Sequence, residues 1–390
     1  MIAIKRLSVA TAVGLVLSLL VNSEAFAFTY TKIADSNDHF NKFGFYPAIN
    51  NEGTVTFSAD LDAGGSGIYI GSGENTSLIA DSSGQFSSFF TFAIADTGIV
   101  AFKAALDEAS VGIYTNENTA PIAYSKVPAA LGDLAINSKG TVTFSQILDR
   151  GVRAVLTNND GINTTIADTS DTSPYSRFEG IAINSAGAVA FTAELKERGR
   201  GIYTVHGGNT MTMADTNGDF DFLFNPAINN AGTVAFKGVL DKLAGEGIYT
   251  SDGQTLTKIA DNSSVFDFFE NPAINNQGTV AFKGVLRGGG LGIYTGANPE
   301  TDKVIALGDS LLGSTVTDLY FSNRGLNDKN QFVFYAKLAD GRTGVFRADS
   351  DRQEPTTSVP ESRFALGLLT VGALGAVLRP KRDCGSRLPK

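Results

Sequence analysis

The segment Asp215-Thr-Asn217-Gly-Asp219-Phe-Asp221 sets side-chain oxygens at alternate positions, the spacing with which a calcium loop begins. Hard cations take carboxylate and amide oxygens, so these four residues are the candidate Ca²⁺ ligands. The stretch lacks the glycine at the sixth place and the glutamate at the twelfth that complete such a loop. A wider set of carboxylates recurs along the chain: Asp35, Asp81, Asp168, Asp215, Asp261 and Asp309, then Asp62, Asp107, Asp149 and Asp241. Such a rim offers a site for a cation or a cationic partner. Aspartate also closes strand-to-loop turns on its own backbone, and that reading is the favoured one. The only histidines, His39 and His206, fall in different stretches, with no nucleophile motif or His-x-x-x-His partner beside them. The single cysteine, Cys384, stands near the C-terminus, so no disulfide or cysteine metal framework is available. No catalytic constellation emerges, no cofactor beyond Ca²⁺ is indicated, and a non-enzymatic role is expected.

The elements that carry these residues repeat. Asn271-Pro-Ala-Ile-Asn-Asn-Gln-Gly278-Thr-Val-Ala-Phe-Lys-Gly-Val-Leu286, ending in Gly292-Ile-Tyr-Thr295, recurs at Asn225–Leu240 and at Pro47–Leu61, with weaker copies from Ala93, Ala135 and Ala182. The turn glycines Gly53, Gly98, Gly140, Gly187, Gly232 and Gly278 are spaced by 45, 42, 47, 45 and 46 residues. A degenerate seventh copy runs from Leu326 to Phe346, with Asn330 in the glycine position; asparagine tolerates positive φ next best, so a left-handed turn is expected there too. Each period holds four short β-like runs bounded by Asn/Gly and Asp/Gly turns, which is hairpin chemistry at propeller-blade spacing. A β-solenoid would need shorter coils without hairpins.

The order of the pieces predicts how the ring closes. Phe28-Thr-Tyr-Thr-Lys-Ile-Ala-Asp35 reads as a fourth strand with no first three, and the last copy ends at Phe346 after a third. Pairing the two removes the open edges. The expected fold is therefore all-β: a seven-bladed propeller over 28–349, its last blade completed by the N-terminal strand. The phenylalanines of Val-Ala-Phe are expected between blades. Phe86/Phe89/Phe90, Phe220/Phe222/Phe224 and Phe266/Phe268/Phe269 either line a binding mouth or lock blades together, with locking favoured.

Both ends read as addresses. Lys5-Arg6, a 15-residue apolar run from Leu7 to Val21, and Ala25-Phe26-Ala27 make a secretory signal peptide over 1–27. A polar linker at 350–363 contains Pro360-Glu361; an apolar helix is expected at 364–378, short for a membrane span, followed by a basic tail at 379–390. The C-terminus resembles the PEP-CTERM sorting signal of bacterial envelope proteins. That resemblance implies export by the Sec route, membrane retention through the helix, and recognition of Pro360-Glu361 by an exosortase. Ser362 departs from it, standing where a proline commonly follows. The repeats resemble a bacterial tandem-repeat family with an Asn-x-x-Gly-x-Val-Ala-Phe signature and varied C-terminal anchors, as in Asn229–Phe236 and Asn275–Phe282. This implies surface location and no defined activity.

Composition fits that picture. Apolar residues make up 43% and charged residues 18%, as in a folding chain. The formal charge is −9; the two ends carry +1 and +4, which leaves −14 on residues 28–355. So acidic a body repels phosphate backbones, and no nucleic-acid partner is expected. The expected protein is an exported monomer, at the cell surface or in the periplasm, acting as an interaction module for a surface polymer or protein. The alternatives are a structural envelope component or a propeller hydrolase or lyase.

Overall fold

The computed structural model describes residues 28–350 apart from Glu74 and residues 107–109. The signal peptide, the Pro360-Glu361 linker, the C-terminal helix and Asp107 lie outside the described residues. Among the described residues no helix is long and apolar enough to cross a membrane.

Seven antiparallel sheets follow one another along the chain, forming a seven-bladed β-propeller. Blade 6 shows the pattern: Phe266–Phe269 and Ala273–Ile274 form a divided first strand, followed by Val280–Leu286, Leu291–Tyr294 and Lys303–Ala306. Blade 7 closes the ring. Its fourth strand is Phe28–Asp35, which runs antiparallel to Thr343–Ser350, with Lys32 opposite Phe346 and Asp35 opposite Gly344. The Tyr30 hydroxyl adds a bond to the Val304 carbonyl in blade 6 at 2.7 Å. Turns between first and second strands use positive φ, between +83° and +90° at Gly53, Gly98, Gly140, Gly187, Gly232 and Gly278, and +52° at Asn330.

Blade faces differ, and that difference packs the disk. One face of a blade presents small residues and the facing blade presents rings. Ala235, Ile248 and Ala260 of blade 5 meet Phe266, Phe282 and Tyr294 of blade 6, all buried. Ala190 and Ile202 of blade 4 meet Phe220, Phe236 and Tyr249 in the same way. Within a blade the rings interlock edge-on, as between Phe266 and Tyr294 at 5.1 Å. The Gly-Ile-Tyr motif also follows from packing: a Cβ on Gly201 would lie 2.6 Å from the Tyr203 hydroxyl. Where threonine replaces the small alanine, its hydroxyl is satisfied inside the blade, Thr143 on the Leu156 carbonyl at 2.9 Å.

The Asn of Asn-x-x-Gly is a latch between blades as well as a turn residue. Asn184 accepts the Ala186 and Ala188 amides through Oδ1, and its Nδ2 donates to the Asn229 carbonyl of the next blade at 2.9 Å. Asn229 donates likewise to Asn275, Asn275 to Asn327, Asn327 to Asn50, Asn50 to Ala95 and Asn137 to Asn184. The belt circles the axis with one gap, at Ala95, which accepts but cannot donate.

Candidate functional site

First strands line the axis, and their midpoints build the site. In blades 1, 5 and 6 this strand carries a proline, at Pro47, Pro226 and Pro272, which has no N–H to give the ladder. The strand accordingly breaks, between Phe43 and Ala48, between Leu223 and Ala227, and between Phe269 and Ala273. Residues freed by the breaks, among them Phe45, Tyr46, Asn225, Glu270 and Asn271, line a cavity of about 500 Å³ at one mouth of the central channel. The opposite mouth, lined by the asparagine belt, is narrower, about 180 Å³.

The wide mouth is rimmed with rings. Phe45 (43% exposed), Tyr46 (55%), Phe90 (55%) and Phe268 (46%) line it. These rings are braced. Phe45 stacks on Tyr320 at 4.3 Å, and the Lys237 ammonium lies 3.9 Å from the Phe268 ring centre. Lys103 lies over Phe90, and Arg200 over Phe222 outside the cavity. The aromatic clusters noted in the sequence thus divide their labour: Phe86, Phe220, Phe266 and Phe269 are buried, while Phe90, Phe222 and Phe268 stand exposed.

Three of the cations beneath the rings, Lys103, Lys237 and Lys283, are the residue after Val-Ala-Phe, and each also ties its blade to the next. Lys103 donates to the Leu131 carbonyl, Lys237 to Phe269 and Lys283 to Leu319, with the Thr192 hydroxyl doing the same for Phe224. Lys237 is paired with Glu246 at 2.9 Å and Lys283 with Glu270 at 2.7 Å. Burial pulls the Lys103 ammonium below its usual value, and the Asp133 carboxylate offsets part of this.

Arg324 separates the two mouths and lines both. It sits in blade 7, where the first strand Ser314–Leu326 bulges between Phe321 and Leu326. Gly325 permits the tight return, since a Cβ there would meet the Val333 carbonyl at 2.8 Å. From the bulge the guanidinium reaches across the axis: Nη1 donates to the Thr91 hydroxyl and, at 3.0 Å, to the Phe92 carbonyl, and Nη2 donates to the Leu134 carbonyl. Nothing in the repeat pattern points to this residue, because it falls in the degenerate seventh copy outside the repeated text.

The residues singled out by type and spacing sit elsewhere. The Asp215 carboxylate accepts the Asn217 amide at 2.9 Å, and the Asp219 carbonyl accepts the Asp241 amide at 2.8 Å. Asn217, Asp219 and Asp221 are exposed. Among the described residues no group of three or more His, Cys, Asp or Glu side chains is placed to hold a metal ion. Several aspartates of the rim cap their own turns. Asp81, Asp168 and Asp261 accept both the amide and the hydroxyl of the serine two residues on, and Asp35 is buried against Arg342. His39 packs on Phe40 with ring centres 4.0 Å apart, and His206 is exposed in a hairpin of blade 4.

A family model matches residues 115–363 of the chain. The chain belongs to DUF7453, a family of unknown function. This DUF7453 member matches no curated protein in sequence. Among solved structures it is similar to an oligogalacturonate lyase from Vibrio parahaemolyticus, with a TM-score of 0.51 and 13% identity over 84% of this chain and 98% of that one. It is also similar to a puromycin-hydrolysing peptidase from Mycobacterium tuberculosis, with a TM-score of 0.49 and 13% identity over 83% of this chain and 56% of that one. At such identity the likeness concerns the fold alone.

Proposed function

We propose that this propeller is an exported, membrane-retained binding module of the bacterial envelope, and that it takes a surface polymer at the wide mouth of its channel. The observation that carries this reading is the ring of braced, exposed aromatic side chains around a cavity of about 500 Å³. Exposed rings cost solvation and are normally scattered singly. Gathered around a concavity with a few polar groups, they match the usual construction of a ligand site. Both histidines lie outside the mouth, and Glu270 is tied to Lys283 at 2.7 Å. That favours binding over hydrolysis or elimination.

Glycan-array binding by the full chain tests the site. Phe268→Ala and Tyr46→Ala are expected to weaken whatever binds by roughly tenfold each, the scale of one stacking contact. A folded protein that binds no member of the array would favour a structural envelope role. The address is tested by truncation after Ser358, which is expected to move the protein from the membrane fraction to the periplasm or medium. A truncated protein that still fractionates with membranes refutes retention by the C-terminal helix.

A further inference from the structure

Most cations packed against the aromatic rings are neutralised where they stand. Lys237 has Glu246, Lys283 has Glu270, and Arg200 has Glu179 and Glu194. Arg324 and Lys103 are different: among the described residues neither has a carboxylate within ion-pair distance, and Asp133 acts on both only from farther away. Arg324 is half-buried between the two mouths, and a guanidinium that stays charged while losing part of its hydration is costly without a counterion. Burial lowers the pKa of Arg324, as expected for a cation removed from water without a full partner.

Its hydrogen bonding is incomplete in a particular way. Three of the five N–H groups are used, on Thr91, Phe92 and Leu134. Among the described residues Nε–H and one Nη2–H have no protein acceptor, and the Nε/Nη2 side of a guanidinium is one of the edges that can match a carboxylate in bidentate fashion. In the wall of the same cavity Asn271 Oδ1 is buried and, among the described residues, has no donor. An anion acceptor site, an orphaned amide and rings that pack on the apolar faces of sugars thus converge in one place. The charged lining of the cavity is balanced, Lys237 and Arg324 against Asp133 and Glu270, but Glu270 is tied to Lys283 and Asp133 lies beyond ion-pair distance of Arg324, so the guanidinium keeps its capacity for a second anion.

We propose that the floor of the wide mouth is a carboxylate site built on Arg324, and that the ligand class is an acidic oligosaccharide. A uronate carboxylate pairs with the free Nε/Nη2 edge, its neighbouring hydroxyls reach Asn271, and its sugar faces rest on Phe45, Tyr46, Phe90 and Phe268. This rests on the reading of the mouth as a binding site and adds the chemistry of what enters it.

The test titrates the full chain with hexuronate oligomers of the gluco, manno and galacto series, each beside its methyl ester. In at least one series the acid is expected to bind roughly tenfold or more tighter than the ester, the scale of a charge-assisted bidentate pair. Arg324→Gln should abolish that preference, and Arg324→Lys, which keeps charge without the fork, should retain only part of it. Equal binding of acid and ester in every series overturns the carboxylate site and leaves the binding mouth standing. A preference that survives in Arg324→Gln overturns the assignment to Arg324. A folded protein that binds neither acid nor ester overturns the acidic ligand class, and the glycan array then decides separately whether the mouth binds at all. If Arg324→Gln does not fold, the acid-to-ester comparison on the unmodified chain decides.

Discussion

Replacing Asn184 by alanine tests whether the asparagine belt holds the ring together. Asn184 is 5% exposed and makes three hydrogen bonds: it accepts from the Ala186 amide at 3.1 Å and the Ala188 amide at 2.9 Å, and donates to the Asn229 carbonyl at 2.9 Å. The losses are unequal. The Asn229 carbonyl keeps a second donor, the Gly232 amide at 3.0 Å. The Ala188 amide has no other acceptor and is buried. A bond between neutral groups contributes about 1 kcal/mol net, and a stranded buried donor costs about 1–3 kcal/mol, so Asn184→Ala should cost about 2–4 kcal/mol. The natural gap offers the reverse experiment. Ala95 holds the same turn, its carbonyl accepting from Gly98 and its amide donating to Ile99, and it borders the narrow mouth. Ala95→Asn should complete the belt by donating to the Asn137 carbonyl, gaining about 1 kcal/mol. Urea unfolding with an unchanged slope measures both. A loss below 1 kcal/mol for Asn184→Ala together with no gain for Ala95→Asn would refute the belt as a source of stability.

Three further outcomes follow from the same structure. Gly232→Val places a β-branched side chain at φ +84°, and is expected to lower stability by about 1–3 kcal/mol while leaving far-ultraviolet dichroism unchanged; a neutral result would show that the turn relaxes freely. Removing residues 28–35 takes away the partner of Thr343–Ser350 and exposes an unpaired strand edge, so the shortened protein should aggregate on purification; a stable monomer would refute closure by that strand. Burial pushes the Tyr30, Tyr203 and Tyr294 hydroxyls up from 10.0 to about 12, with nearby carboxylates adding to it. These groups stay protonated in the fold at a pH where the unfolded chain ionises. Their contribution is therefore complete below pH 10 and lost as pH rises towards 12. Tyrosinate absorbance should rise together with unfolding in that window, and full ionisation of a still-folded protein near pH 10 would contradict it.

What could be read from the sequence, and what could not, divides along a physical line. Blade number, hairpin turns and closure were legible because each follows from a local rule that recurs with small variations around the ring: Asn-x-x-Gly fixes a turn, Val-Ala-Phe an inner strand, and an orphan fourth strand at one end implies an incomplete blade at the other. The second role of the asparagine was not legible, because its acceptor lies one whole repeat away, 45 residues on for Asn184. The site was hidden for the opposite reason. Agreement between copies builds the ring, and only disagreement can make one mouth of a ring selective. The residue after Val-Ala-Phe is lysine in three blades, serine or threonine in three others, and Tyr335 in the last. The mid-strand break brings Tyr46 to the cavity in one blade and Asn225 and Asn271 in two more, and the seventh substitutes an insertion carrying Arg324. A strictly repeated mouth would present the same group from every blade and hold a ligand in seven equivalent poses. Here one guanidinium crosses the axis to blades 2 and 3, which makes the mouth asymmetric and would orient the proposed anionic ligand.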